Sequence, residues 1–195
     1  MNGFSNLIHK PPGLYYHGAP ASRVEIIDKE GFIKPASPAS FKGTRDEIGL
    51  VWVTDDVSVA LYHAKAYEKG NGAVYVVRVP FEIVAIDRYE KLNREQAEIL
   101  NRVNLRREYD PIVEGISLNS AMWKIMQHVD APQTLREILP LIGCNAVRDA
   151  GGYGVIADRF EIVRKIPVDE KTDVLDILYD WASDLREKYE EILKS

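Results

Sequence analysis

Two stretches of the chain carry residue types that can hold a flat, polar ligand. Leu14-Tyr15-Tyr16-His17-Gly18 ends a short apolar run on an imidazole and a residue with no Cβ, where a backbone can approach a ligand closely. Leu50-Val51-Trp52-Val53-Thr54-Asp55-Asp56 ends a second run on a hydroxyl and two carboxylates, and Tyr62 follows soon after. An imidazole and a glycine on one wall, with aromatic faces on another, is the make-up of a nucleotide cleft. The remaining reactive groups read more plainly. Cys144, between Ile142-Gly143 and Ala146-Val147, is expected in the core rather than as a nucleophile. Asp55 and Asp56 suit a helix start better than a metal, and His9, His63 and His128 lack partners at metal-ligand spacing, so no metal is expected.

The elements that would position these groups follow from periodicity. Leu14–Tyr16 reads as a strand, and a helix then runs from Pro20 to a C-terminal cap at Gly31, with Val24, Ile26 and Ile27 as its apolar side. Pro35 to Gly49 reads as an irregular loop, long enough to be functional. Leu50–Val53 is a strand, with Thr54 or Asp55 as the cap of a helix whose stripe is Val57, Ala60, Leu61 and Ala64; Tyr62 and His63 fall off that stripe. Ala73–Val79 is the clearest strand and Ile83–Ile86 another.

Residues 88 to 142 turn helical and read as an insertion. Asn93 and Gln96 form a capping box for a helix through about Arg107. Leu118, Met122, Ile125, Met126 and Val129 mark a second helix, and Leu135, Ile138, Leu139 and Ile142 a third closed by Gly143. Arg102, Arg106 and Arg107 are offset by Glu95, Glu98 and Glu108, so a solvated face is expected there. Strands return at Asn145–Arg148, Val155–Ala157 and Phe160–Ile166, with Gly151-Gly152-Tyr153-Gly154 as a turn. A final helix, about 172–194, has the stripe Val174, Leu178, Trp181, Leu185, Tyr189 and Ile192. The expectation is an α+β fold: one domain with a split, mostly antiparallel sheet, core about 14–87 and 143–168.

Composition excludes several classes. With 195 residues, 46% hydrophobic and 28% charged, the chain suits a globular domain rather than disorder. A net charge of -5 with no long basic run argues against a sequence-independent grip on duplex DNA. One cysteine permits no internal disulfide. Neither a signal peptide nor an apolar run of membrane-spanning length is evident, so a cytoplasmic protein is expected. Gly-x-Gly-x-x-Gly after a strand, a phosphate-binding loop ending in Gly-Lys-Ser/Thr and His-Glu-x-x-His are all absent, which removes Rossmann and P-loop chemistry.

The pieces Tyr16-His17-Gly18, Glu30-Gly31-Phe32-Ile33-Lys34-Pro35, Val51-Trp52-Val53-Thr54-Asp55 and Ala60-Leu61-Tyr62, in that order, resemble the ADP-ribosyltransferase superfamily, the NAD-splitting fold of diphtheria-like toxins and poly-ADP-ribose polymerases. The resemblance covers Leu14 to about Pro80 and, more weakly, Gly143 to Ile166. It implies NAD as substrate, with His17 on the adenosine-side ribose and the Gly18 backbone on the nicotinamide carboxamide. Trp52 and Tyr62 would be the aromatic walls, and Arg45 of the 35–49 loop would contact the phosphates. Nicotinamide leaves behind an oxocarbenium-like ribose, which an acidic side chain stabilises. Aligned on Val155-Ile156-Ala157-Asp158, the family's glutamate position holds Tyr153, and Asp149 is the nearest carboxylate. The resemblance thus implies transfer of ADP-ribose to a macromolecular acceptor, a protein first and nucleic acid second, with His17, Tyr62, Asp149 and Tyr153 doing the chemistry. Two other readings stay open: a silent nucleotide-binding or protein-interaction module, and an NAD-dependent RNA 2′-phosphotransferase, which the missing basic surface disfavours.

Overall fold

The computed structural model of the chain describes residues 6–35, 47–65 and 71–182. In chain order these form β1 (Ile8–Lys10), β2 (Gly13–Ala19), α1 (Ala21–Glu30), β3 (Phe32–Ile33), β4 (Leu50–Val53), α2 (Val57–Lys65), β5 (Gly72–Val79) and β6 (Ile83–Asp87). They continue with α3 (Arg94–Asn101), α4 (Leu118–Met126), α5 (Leu135–Ile138), β7 (Ala146–Asp149), β8 (Gly152–Ile156), β9 (Phe160–Val168) and α6 over residues 174–182. The fold is α+β, with two sheets of strand order β1-β6-β7-β8-β4 and β2-β5-β9-β3. No helix among the described residues is long and apolar enough to cross a membrane.

The described residues fall into two compact units. The first takes those up to Gly13, Lys34–Trp52 and Val79–Phe160; the second takes Leu14–Ile33, Val53–Arg78 and those from Glu161 on.

In the first unit β6 and β7 are parallel neighbours, Ile86 opposite Val147, while β1–β6 and β7–β8 are antiparallel. Parallel neighbours need a crossover of a dozen residues or more. The helical block expected as an insertion is that crossover. Its Leu92, Leu100, Leu118, Met122, Ile125, Leu135, Ile138 and Ile142 bury against Leu50, Ile86 and Val147 of the sheet. The Asn93–Gln96 capping box forms, with the Asn93 carboxamide oxygen accepting from the Gln96 N–H at 2.9 Å. α3 nevertheless ends at Asn101 rather than Arg107, because buried Asn104 takes over: it accepts from the Arg106 N–H at 3.0 Å and donates to the Asp110 carbonyl at 2.8 Å, folding a turn. Val129 lies beyond α4 and is exposed, and Ala121 fills the stripe instead. The β7–β8 turn is Ala150-Gly151, both at positive φ (46° and 81°), so Gly152–Gly154 belong to the strand rather than the turn. Cys144 is buried as expected, and burial pushes its thiol up to about 12.

In the second unit β5 supplies Val74 and Val76, which pack with Ile166 and Val168 of β9, the α2 stripe Val57, Ala60, Leu61 and Ala64, and Ile177 of α6. The α2 face is the one read from sequence, but its start is set by Asp56, whose carboxylate accepts from the Ser58 N–H at 2.8 Å and hydroxyl at 2.6 Å. Thr54 instead accepts from the Asp56 N–H at 3.0 Å. α1 ends at Gly31 in the left-handed region (φ 75°), its N–H on the Ile27 carbonyl. Ile27 is its buried residue; Ile26 is exposed. β9 runs through Pro167 to Val168, past the expected end, with a bulge opposite Val76/Val77 that turns Val163 inward. On α6 Val174, Ile177 and Trp181 face the core and Leu178 does not; Leu185, Tyr189 and Ile192 lie outside the described residues.

Candidate functional site

The residues singled out for chemistry divide between the units: His17, Gly18 and Tyr62 in the second, Trp52, Asp149 and Tyr153 in the first. Arg45 lies outside the described residues.

In the second unit β2 is an edge strand. Tyr16 is tied to Thr54 by two backbone hydrogen bonds, Tyr16 N–H to Thr54 carbonyl at 2.8 Å and Thr54 N–H to Tyr16 carbonyl at 2.9 Å. The pairing is an isolated bridge and does not extend to Gly18. Backbone groups two residues apart face the same edge of a strand, so the Gly18 N–H and C=O face the same way as those of Tyr16, past the end of the bridge. Side chains alternate as well. Tyr16 and the bare side of Gly18 face α2, and His17, half-buried, points to the opposite face.

Gly18 is held tightly. A Cβ there would sit 1.9 Å from the Ala60 carbonyl oxygen and 3.0 Å from the Ala64 nitrogen. Gly72 on β5 makes a like approach, 2.2 Å from the Ala64 carbonyl oxygen. The glycine therefore gives room to a helix rather than to a ligand on its side-chain face, and what it offers a ligand is its peptide edge. On α2 itself Tyr62 is 63% exposed, with the His63 ring packed edge-on at 5.5 Å. Burial pushes the His63 imidazole below its usual range, so it stays neutral near pH 7. Tyr75, buried in β5, donates to the Asp28 carboxylate of α1 at 2.9 Å, and Lys165 of β9 pairs with the same carboxylate at 2.5 Å. That hydrogen bond to Lys165 is the main reason the Asp28 carboxyl is held low.

In the first unit Trp52 is half-buried and its ring lies on the Gly154 backbone, 3.1 Å from where a Cβ would project. It packs against the crossover core, which gives the ring a structural task. Tyr153 is only 4% exposed, on the opposite face of β8, under the Lys10 ammonium at 5.9 Å from its ring centre. Asp149 is engaged with the Arg88 guanidinium at 3.5 Å. Arg88 also binds the Glu47 carboxylate and donates to Asn119 at 3.0 Å, so a buried guanidinium holds two partly buried carboxylates at the end of β6. Sequence reading passed over Arg88. The available signal was period two: Ile86 faces the crossover core, so Arg88 must face it as well.

Among the described residues no group of three or more His, Cys, Asp or Glu could hold a metal ion. No family model matches the chain, and no curated protein matches it either.

Proposed function

We propose that the chain is an ADP-ribosyltransferase-like protein acting in the cytoplasm, which binds NAD at the β2 edge, expels nicotinamide and passes ADP-ribose to a macromolecule. The observation that carries this reading is the isolated Tyr16–Thr54 bridge, beyond which the Gly18 N–H and C=O on that edge take no backbone partner among the described residues. A primary carboxamide such as that of nicotinamide presents one acceptor and one donor side by side, the complement of that peptide edge. The two motif pieces, residues 16–18 and 54–62, are joined by the Tyr16–Thr54 hydrogen bonds, but Tyr62 is exposed on the side of α2 away from the Ala60 and Ala64 backbone that meets Gly18, so the aromatic wall expected of it does not face this edge. In this reading His17 binds the ribose, and Gly18 fixes the leaving group.

Nicotinamide release, followed by proton NMR with the protein alone and with cell extract, tests the proposal. Release is expected in the wild type and lost in His17→Ala. Tyr62→Ala, at an exposed position on the side of α2 away from Gly18, is expected to leave NAD binding unchanged and serves as the control. Absence of both NAD binding and release in the wild type would overturn it.

A further inference from the structure

In sequence, Arg102, Arg106 and Arg107 are balanced by nearby glutamates. In the structure they are not. Glu98 is taken by Arg94 at 2.8 Å. Glu95 sits in the first turn of α3 and Arg102 at its C-terminal cap, about 10 Å away along the axis. Of the three acids only Glu108 stays with the arginines, and neither Arg102 nor Arg107 has an ion-pair partner among the described residues.

The same turn is pinned along α4. The Arg106 guanidinium donates to the Gln127 carboxamide, and the Lys124 ammonium binds the Asp110 carboxylate and the Pro111 carbonyl. Trp123 is one helical turn before Gln127, on the same face of α4 as the anchor of Arg106. The Trp123 side chain is 73% exposed, and Tyr109, next along the turn, is 87% exposed. The turn that carries Arg102, Arg107 and Tyr109 is thus pinned through Arg106 to the end of α4 that carries Trp123, forming one rim of the β6–β7 crossover on a chain of net charge -5.

We propose that this rim binds single-stranded nucleic acid, the arginines taking phosphates and Trp123 and Tyr109 stacking on bases. The charge asks for an anionic partner, and the two open ring faces ask for a planar one. A duplex keeps its base faces stacked within itself. An acidic peptide would meet the arginines but leave the rings without flat partners. The surface works independently of NAD.

The test is anisotropy of labelled oligo-dT and oligo-U of about 12 nucleotides with the full chain and no NAD. Three neutralised phosphates at about 0.7 each give a log–log salt slope near −2, so affinity should fall roughly 18-fold between about 50 and 200 mM salt. Trp123→Ala and Tyr109→Ala should each weaken binding at least about fivefold. Arg102→Gln with Arg107→Gln should reduce the slope to about −0.7. All four positions are on the surface, so circular dichroism and melting should be unchanged. No binding at about 100 μM protein in low salt, binding indifferent to Trp123→Ala, or preferential binding of a Glu-rich peptide through Trp123 would each overturn the proposal.

Discussion

A single methyl group at Gly18 tests how α2 sits on β2. The added Cβ would lie 1.9 Å from the Ala60 carbonyl oxygen, 2.8 Å from its carbon and 3.0 Å from the Ala64 nitrogen. All are backbone atoms, so no side-chain rotation gives relief. Ordinary contact begins at 3.4 Å, which requires α2 to retreat by about 1.5 Å, the difference from 1.9 Å. Retreat would open the packing of Val57, Ala60, Leu61 and Ala64 on Val74 and Val76. Overpacking typically costs about 1–3 kcal/mol, and with a rigid helix backbone as the obstacle we expect Gly18→Ala to cost about 3 kcal/mol or more. The assay is urea unfolding, with Gly31→Ala as reference: at φ 75° with open space around it, only the left-handed backbone penalty applies, about 1–2 kcal/mol. A Gly18→Ala loss no larger than that of Gly31→Ala would refute the close approach. Full stability with loss of NAD affinity would show that Gly18 serves the ligand and not the helix.

Ala150 occupies the first position of a two-residue turn at φ 46°, where asparagine is preferred, so Ala150→Asn should raise stability by about 0.5–1 kcal/mol in urea unfolding; a loss would contradict the turn assignment. Arg88→Met should cost about 3–5 kcal/mol by leaving the Glu47 and Asp149 carboxylates unpaired, and adding Glu47→Gln and Asp149→Asn should recover much of it. If the triple variant melts with the single one, charge pairing is not the cause. His63 has a folded pKa below its ordinary 6.5, so the unfolded chain takes up a proton first as pH falls. Stability should be full above about pH 7 and decline as pH drops through about 6.5 until the folded value is reached. His63→Phe should flatten that window in melts between about pH 5 and 7, whereas the lowered carboxyls of Asp28, Asp56 and Asp169 act only below their ordinary 3.8.

Much of the architecture was legible because local physics fixed it. The α2 stripe, the Gly31 cap, the Asn93–Gln96 box and the buried run of β5 each depend on residues close in sequence. What the sequence hid depends on distant partners. α3 stops early because Asn104 bonds to Asp110, and β9 passes Pro167 because Ala73, opposite it, still belongs to β5. At the candidate site, His17 and Gly18 were visible as types, but the backbone bridge from Tyr16 to Thr54, which joins two motif pieces far apart in sequence, was not. Asp149 looked like a spare carboxylate because nothing in the sequence brings Arg88 to it.

The parallel pairing of β6 with β7 also orders the folding of the first unit. The β7–β8 hairpin closes through two residues and can form within microseconds. Its pairing to β6 must wait for residues 88–145 to be drawn in, about five doublings of loop length and roughly 3 kcal/mol of closure entropy beyond the hairpin. The capping box of α3 and the Ser117 cap of α4 reduce that search by shortening the free chain before the strands meet. During synthesis, β6 emerges well before its partner, so its β7-facing edge stays bare while the intervening helices are made. Early helix formation in the crossover therefore protects an aggregation-prone strand, and weakening those caps should lower soluble yield more than equilibrium stability.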